Sequence, residues 1–127
     1  MSKSPGHRKW PEHEVQEEHL GQRMQVRANG QIVANSDDVI KVEEDEHPAR
    51  YYFPRADVRM NSLERSETTT ECPFKGKARY FSLIVGDKKL GDAAWSYEEP
   101  YEEHLALKDR LAFHDDKMTE IEIGPGT

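Results

Sequence analysis

From Met24 the chain alternates: Met24, Val26 and Ala28 are apolar, Gln25, Arg27 and Asn29 are polar, and the alternation resumes at Ile32 and Ala34 beyond Asn29-Gly30. A period of two marks a half-buried strand. Asn-Gly between two such runs predicts a tight hairpin, because both central residues of a type I′ turn need positive φ. Asn35-Ser36-Asp37-Asp38 reads as a turn cluster, after which Val39, Ile40 and Val42 begin a third strand that runs into Glu43-Glu44-Asp45-Glu46. That acid run is expected to be a solvated strand end and loop, since like charges on a loop point at water. His47 to Arg50 turn the chain into Tyr51-Tyr52-Phe53, an aromatic strand stopped by Pro54. From Arg55 to Leu63 the pattern is ambiguous, compatible with one helical turn and then extended chain.

Further on, Thr68-Thr69-Thr70 favours β structure, and Cys72-Pro73-Phe74-Lys75-Gly76 has Pro and Gly placed to bend the chain. Tyr80-Phe81-Ser82-Leu83-Ile84-Val85 is apolar on both pleat faces, as expected of a strand covered on both sides at the centre of a sheet. Gly86-Asp87 then predicts a second hairpin into Lys88 to Trp95. After Trp95 the period changes again. A short helix is expected, opened either by Ser96 with Glu99 closing a capping box or, with easier sterics, by Pro100 as first helical residue. Glu102 and Glu103 would lie near its positive end and Lys108 and Arg110 near its negative end, while Leu105, Leu107, Leu111 and Phe113 give it a face to bury. Glu120 to Ile123 alternates as a last strand, and order is expected to end at Gly124.

The N-terminal 21 residues are rich in Lys, Glu and His, with Trp10, Val15 and Leu20 as isolated apolar residues. They read as a flexible arm or a short surface helix between Pro11 and Gly21. The fold expected is mainly β, a compact single domain of about seven antiparallel strands over residues 22–123, with one short C-terminal helix, a loosely ordered N-terminal arm over 1–21 and a disordered tail over 124–127.

Composition narrows the function. The 127 residues hold 18 Lys and Arg against 25 Asp and Glu, a formal charge of −7. A grip on nucleic-acid phosphates or anionic lipid needs clustered Lys and Arg, so neither nucleic acid nor a membrane surface is expected as a partner. The first fifteen residues lack the apolar stretch of a secretory signal, and a cytoplasmic location is expected. A single cysteine, Cys72, excludes an internal disulfide and a multi-cysteine zinc knuckle. The six histidines are scattered without the close spacing that a metal site draws on, so no metal and no cofactor are expected. No Gly-x-Ser-x-Gly elbow and no paired carboxylates beside a Gly-rich phosphate loop occur.

What stands out is aromatic density beside fixed cations: Tyr51, Tyr52 and Phe53 precede Arg55 and Arg59, Phe74 precedes Lys75, and Trp95 is followed by Tyr97. These residues either fill the core of a small β domain or wall a pocket for a planar or anionic small molecule. Cys72, three positions from Lys75, is either an inert half-buried thiol or a reactive one favoured by a cationic neighbour.

Three segments, Tyr52-Phe53-Pro54-Arg55-Ala56-Asp57-Val58-Arg59-Met60, Thr68 to Gly76, and Asp92-Ala93-Ala94-Trp95-Ser96-Tyr97-Glu98-Glu99-Pro100, followed by Lys108 to Phe113, resemble in order and spacing the domain of unknown function 427 family. The resemblance covers about residues 22 to 123. It implies a β-tent shape, a cleft between sheets, and Tyr52, Arg55, Arg59, Cys72, Lys75, Trp95 and Tyr97 as ligand-binding positions. Relatives of that fold hold zinc through paired Cys-x-x-Cys knuckles, which this sequence lacks. The family is sometimes labelled nucleotidyltransferase-like. The reading is therefore a domain that binds a small planar or anionic ligand between its sheets. The alternatives are an enzyme acting on a nucleotide or activated small molecule, with Cys72 or a carboxylate as reactive group, and a protein-interaction module that meets a basic partner through its acidic stretches.

Overall fold

The computed structural model describes residues 3–126, and three antiparallel sheets form its framework. Strands β1 (Val15–Leu20), β4 (Val39–Glu44) and β5 (Arg50–Tyr52) make one sheet in the order β1-β4-β5. Strands β2 (Met24–Ala28), β3 (Gln31–Ser36) and β10 (Ile121–Pro125) make a second in the order β10-β2-β3. The third runs β6 (Leu63–Cys72), β7 (Gly76–Val85), β8 (Lys88–Tyr97) and β9 (Ala112–Phe113). The protein is mainly β, as its alternating pattern predicts. Asn29 and Gly30 both take positive φ, 51° and 83°, between β2 and β3. At the β7–β8 hairpin only Gly86 does, at 64°, the pattern of a II′ turn. β7 lies inside its sheet between β6 and β8, where its two-sided apolar run placed it.

Five details differ from the sequence-based expectation. The described residues form ten strands rather than about seven. Val15–Leu20 is a strand rather than a loose arm or a surface helix, because the edge of β4 offers it a full ladder from Val15↔Glu44 to Leu20↔Val39, whereas an isolated helix so short is marginal in water. The only α-helix among the described residues, α1 (Pro5–Lys9), precedes Pro11 and is capped by the Ser4 hydroxyl, which accepts from the His7 amide. The expected C-terminal helix is 3₁₀ structure over Glu102–Leu107, interrupted at His104 (φ −127°, ψ 31°). The chain cannot stay helical to Phe113 because the Leu111 N–H and C=O each bond Phe53, both at 2.8 Å, which requires extended backbone there. At the other end Gly124 and Pro125 pair with Gln25 and Met24, and the Gly126 N–H donates to the Arg23 carbonyl at 2.8 Å, so order continues through the expected tail. Residues 1 and 2 of the expected arm and residue 127 of the expected tail lie outside the described residues.

That pair of Phe53–Leu111 bonds has a larger consequence. It joins β5 to the segment leading into β9, so two of the sheets become one strip in the order β1-β4-β5-β9-β8-β7-β6. Alternation gives the strip two buried faces. One carries Val39, Phe53, Phe81, Leu83, Ala94 and Phe113, which pack with Val26, Ala28, Val33 and Ile121 of the second sheet into the larger core. The other carries Ile40, Val42, Tyr52, Ala78, Trp95, Tyr97 and Ala112, a second cluster. The members of this second cluster sit on strands up to four places apart, and side chains from β4 to β7 line one cavity, so the strip curls with that face inward. The functional side chains lie on the inside of the curl.

Candidate functional site

Inside the curl is a cavity of about 250 Å³. Its aromatic wall comes from alternate positions of three strands: Tyr52 on β5, Tyr80 on β7, and Trp95 and Tyr97 on β8. The rings hold each other in place. The Trp95 indole N–H donates to the Tyr52 hydroxyl at 3.1 Å, and the two rings meet edge to face with centroids 6.3 Å apart. His114, just after β9, lies with its centroid 4.3 Å from Trp95 and nearly parallel to Tyr80 at 6.2 Å. Burial pushes the Tyr52 and Tyr97 hydroxyls well above the usual phenol value, so both remain protonated donors.

One end of the cavity is charged. The turn between β6 and β7 projects Lys75 inward, and its ammonium pairs with a Glu44 carboxylate oxygen at 2.5 Å, with only 7% of the lysine side chain and 12% of the glutamate side chain exposed. The same ammonium is 3.7 Å from the Cys72 sulfur and 6.0 Å from the Tyr97 ring centre. The second Glu44 oxygen meets His13 Nε2 at 2.9 Å and His47 Nε2 at 3.7 Å. Burial alone would raise the Glu44 carboxyl, but Lys75, helped by His13, outweighs it and holds that carboxyl below its ordinary value. The turn is fixed by Gly76, whose φ of 122° favours glycine and whose missing Cβ would stand 3.2 Å from the Glu99 carbonyl.

The other end carries Arg50, whose guanidinium lies 5.1 Å over the Trp95 ring and is held by both carboxylate oxygens of Asp116, at 2.8 and 3.3 Å. Beside it the buried Nδ1 of His114 has no hydrogen-bond partner; its nearest carboxylate oxygen, on Asp116, is 3.8 Å away, beyond hydrogen-bond range. Burial, reinforced by Arg50 and Lys117 and opposed by Asp116, holds His114 below its ordinary value, so the imidazole is neutral near neutrality.

Of the seven residues singled out from sequence, Tyr52, Cys72, Lys75, Trp95 and Tyr97 line this one cavity. Arg55 and Arg59 do not. Along β8, Trp95 and Tyr97 point into the curl while Ser96 and Glu98 point the other way, and Arg55 is bonded to those two, Nη2 to Ser96 Oγ at 3.1 Å and to Glu98 at 2.8 Å. Arg59 is exposed, and its backbone N–H donates to the Val33 carbonyl. Sequence reasoning missed Glu44, Arg50, Tyr80 and His114. Each was signalled by the same period of two: Glu44 follows Ile40 and Val42, Arg50 precedes Tyr52, Tyr80 follows Ala78, and His114 follows Ala112. Glu44 thereby departs from the expected solvated acid run, because its strand turns that position inward.

The N-terminal segment braces this end from outside. The Gly6 N–H donates to the Pro73 carbonyl at 2.7 Å, the Ser4 hydroxyl bonds the same carbonyl at 3.0 Å, and the His13 ring stacks on Phe74 at 4.2 Å. His7 and His104, far apart in sequence, meet through their Nε2 atoms at 2.9 Å, and His104 Nδ1 meets Glu17. Among the described residues no group of three or more His, Cys, Asp or Glu side chains is arranged to hold a metal ion. No helix among them is long and apolar enough to cross a membrane.

Chemically, the cavity offers flat apolar walls, an ammonium and a guanidinium at opposite ends, a neutral imidazole with a spare nitrogen, and one thiol. A family model described as a domain of unknown function, DUF427, matches residues 16–124. No curated protein matches the chain.

Proposed function

We infer, for a chain that belongs to the domain of unknown function 427 family, that the inside of the curled sheet binds a small planar anion. The observation that carries this reading is the placement of cations over the aromatic walls: Arg50 already covers Trp95 and Lys75 already approaches Tyr97. A cationic guest would meet these cations. A flat anion would stack against the rings and accept from Lys75 at one end or Arg50 at the other. At about 250 Å³ the cavity is just below the lower end of the range typical of ligand pockets, about 300 Å³, so the guest is compact, the size of a monocyclic aromatic carboxylate. This reading requires neither nucleic acid nor membrane.

The test is a thermal-shift comparison of benzoate with benzamide, equal in shape and differing in charge. Benzoate is expected to raise the melting temperature and benzamide not, and Arg50→Gln and Lys75→Met are each expected to lower the benzoate response. Equal responses to the two compounds, or a response untouched by either variant, would defeat the reading.

A second reading is favoured by the 3.7 Å approach of Lys75 to the Cys72 sulfur at the cavity wall. That contact holds the sulfur at the cavity wall within reach of a bound molecule, so Cys72 would serve as nucleophile in an enzyme acting on a nucleotide or activated small molecule. Turnover retained by Cys72→Ser would remove it.

A further inference from the structure

The opposite face of β8 gathers charge that the cavity does not use. Three guanidiniums converge on one carboxylate: Arg55 Nη2 and Arg65 Nη2 reach one Glu98 oxygen at 2.8 and 2.7 Å, and Arg65 Nη1 and Arg79 Nε reach the other at 3.2 and 3.4 Å. The register explains the convergence. Arg79 on β7 faces Ser96 on β8, two residues before Glu98. Arg65 on β6 faces Phe81, and Arg55 reaches over from the 3₁₀ turn Arg55–Asp57. Arg55 and Arg65 both lie over the Phe81 ring, at 5.5 and 5.1 Å, which fixes their planes.

A structural clamp needs one cation per carboxylate, and here there are three, in a chain whose overall charge is −7. Arg55 has further structural work, since its Nε donates to the Asp109 carbonyl at 2.7 Å and its Nη2 to Ser96. Arg65 and Arg79 have no carboxylate partner other than Glu98 among the described residues, and both terminal amino groups of Arg79 lack an acceptor there. Arg79 and Glu98 also line a cleft of about 710 Å³ whose other charged walls include Lys77 and Lys108, with Glu71 and Glu99 opposing them.

We propose that the Arg55–Arg65–Arg79 cluster is a second ligand site, separate from the aromatic cavity, that holds a phosphate group of a small molecule. The charge matches: three guanidiniums less one carboxylate leave two positive charges, and a phosphomonoester carries about −1.5 to −2 near neutrality. The geometry matches as well, because guanidinium planes present paired N–H donors to the oxygens of a phosphate. Glu98 holds the arginines apart and in place when the site is empty, and the outward donors of Arg79 with those of Lys77 receive the anion.

The experiment is a 31P NMR titration of the full chain with inorganic phosphate and, in a second arm, with glycerol 2-phosphate, chloride being used to hold ionic strength constant. Binding is expected in both arms, and the double variant Arg65→Gln/Arg79→Gln is expected to weaken it about tenfold, the loss typical of bidentate charged contacts. Arg79→Gln alone, at an exposed position with one 3.4 Å contact, guards against a folding defect in the double variant and is expected to give a smaller loss of the same sign. Lys88→Gln, at the far end of β8, serves as the charge control and is expected to leave binding unchanged. Tighter binding of glycerol 2-phosphate assigns a phosphomonoester and tighter binding of inorganic phosphate assigns the free ion; either supports the site. No binding by the wild type, or equal loss in Lys88→Gln and Arg79→Gln, overturns it. Because Arg50 and Lys75 are untouched, the benzoate response of these variants stays intact whether the phosphate site stands or falls.

Discussion

Lys75→Met breaks the ion pair with Glu44, and its cost follows from burial. Unit charges 2.5 Å apart attract by about 7 kcal/mol at an effective dielectric of about 20. Withdrawing each ion from water costs several kcal/mol, so the intact pair contributes little net stability. Removing one partner is different, because the other charge stays buried without compensation, at a cost of 3–5 kcal/mol in comparable sites, taken here as about 3 because His13 still touches Glu44. For a domain of this size that is a fall of about 10 °C in melting temperature. The pH dependence supplies the sharper test. In the wild type the Glu44 carboxyl titrates below its ordinary value of 4.5, so the pair's contribution is present above that value and is lost as pH falls through the lowered one. In the variant, burial no longer meets opposition from Lys75 and raises the folded carboxyl; the destabilisation is then complete above the raised value and is relieved as pH falls and Glu44 becomes neutral. His13 and His47 face the same carboxylate, at 2.9 and 3.7 Å. Urea unfolding followed by tryptophan fluorescence at about pH 7 and about pH 4 measures both. The double variant Glu44→Gln/Lys75→Met is expected to recover most of the loss. A cost below about 1 kcal/mol near neutrality, or a cost equal at both pH values, would refute the reasoning.

Glu98→Gln is expected to cost roughly 2 kcal/mol near neutrality, less than its full shift implies because the site is partly solvated. Arg65, partly offset by burial and then joined by Arg55, holds that carboxyl down from 4.5 to about 2. The difference is therefore present above 4.5 and vanishes as pH falls toward 2, which urea titration at several pH values checks. Tyr52→Phe leaves the buried Trp95 N–H without its acceptor and is expected to cost about 1–3 kcal/mol, with a change in the emission maximum of the Trp95 component read by fluorescence. Gly6→Ala places a Cβ 2.6 Å from the Pro73 carbonyl oxygen; hydrogen exchange is expected to rise over residues 4–9 while the sheets keep their protection, and unchanged exchange there would show that the brace is not rigid.

Much of the architecture could be read from the period-two segments, because a strand with one wet face shows its pattern wherever the core is. The β2–β3 and β7–β8 hairpins were legible from Asn29-Gly30 and Gly86-Asp87, where Asn29, Gly30 and Gly86 take the positive φ that few residues adopt. β1 was not legible: its part-buried positions are Val15, Glu17 and Leu20, and a mostly polar edge strand has no regular apolar alternation to reveal it. The C-terminal segment misled for the opposite reason. Its composition suits a helix, but the bond pair to Phe53, made by a residue distant in sequence, decided the backbone at Leu111. For the site, aromatic residues beside cations pointed to Tyr52, Lys75, Trp95 and Tyr97, while proximity along the chain falsely grouped Arg55 with them. Adjacent residues on a strand face opposite ways, so Ser96 drew Arg55 to one side while Trp95 stayed on the other. Glu44 was hidden by its neighbours Glu43, Asp45 and Glu46, whose solvation masked the one position that the pleat turns inward.

The Phe53–Leu111 bond pair also sets an order on biosynthesis. The β2–β3 hairpin closes between neighbours and can form as soon as it leaves the ribosome, but the inside of the curl needs β9 seated between β5 and β8, and β9 is nearly the last strand translated. Until residue 114 has emerged, Tyr52 and Trp95 have no closed wall around them, and the nascent chain exposes its aromatic face to whatever chaperone waits at the exit.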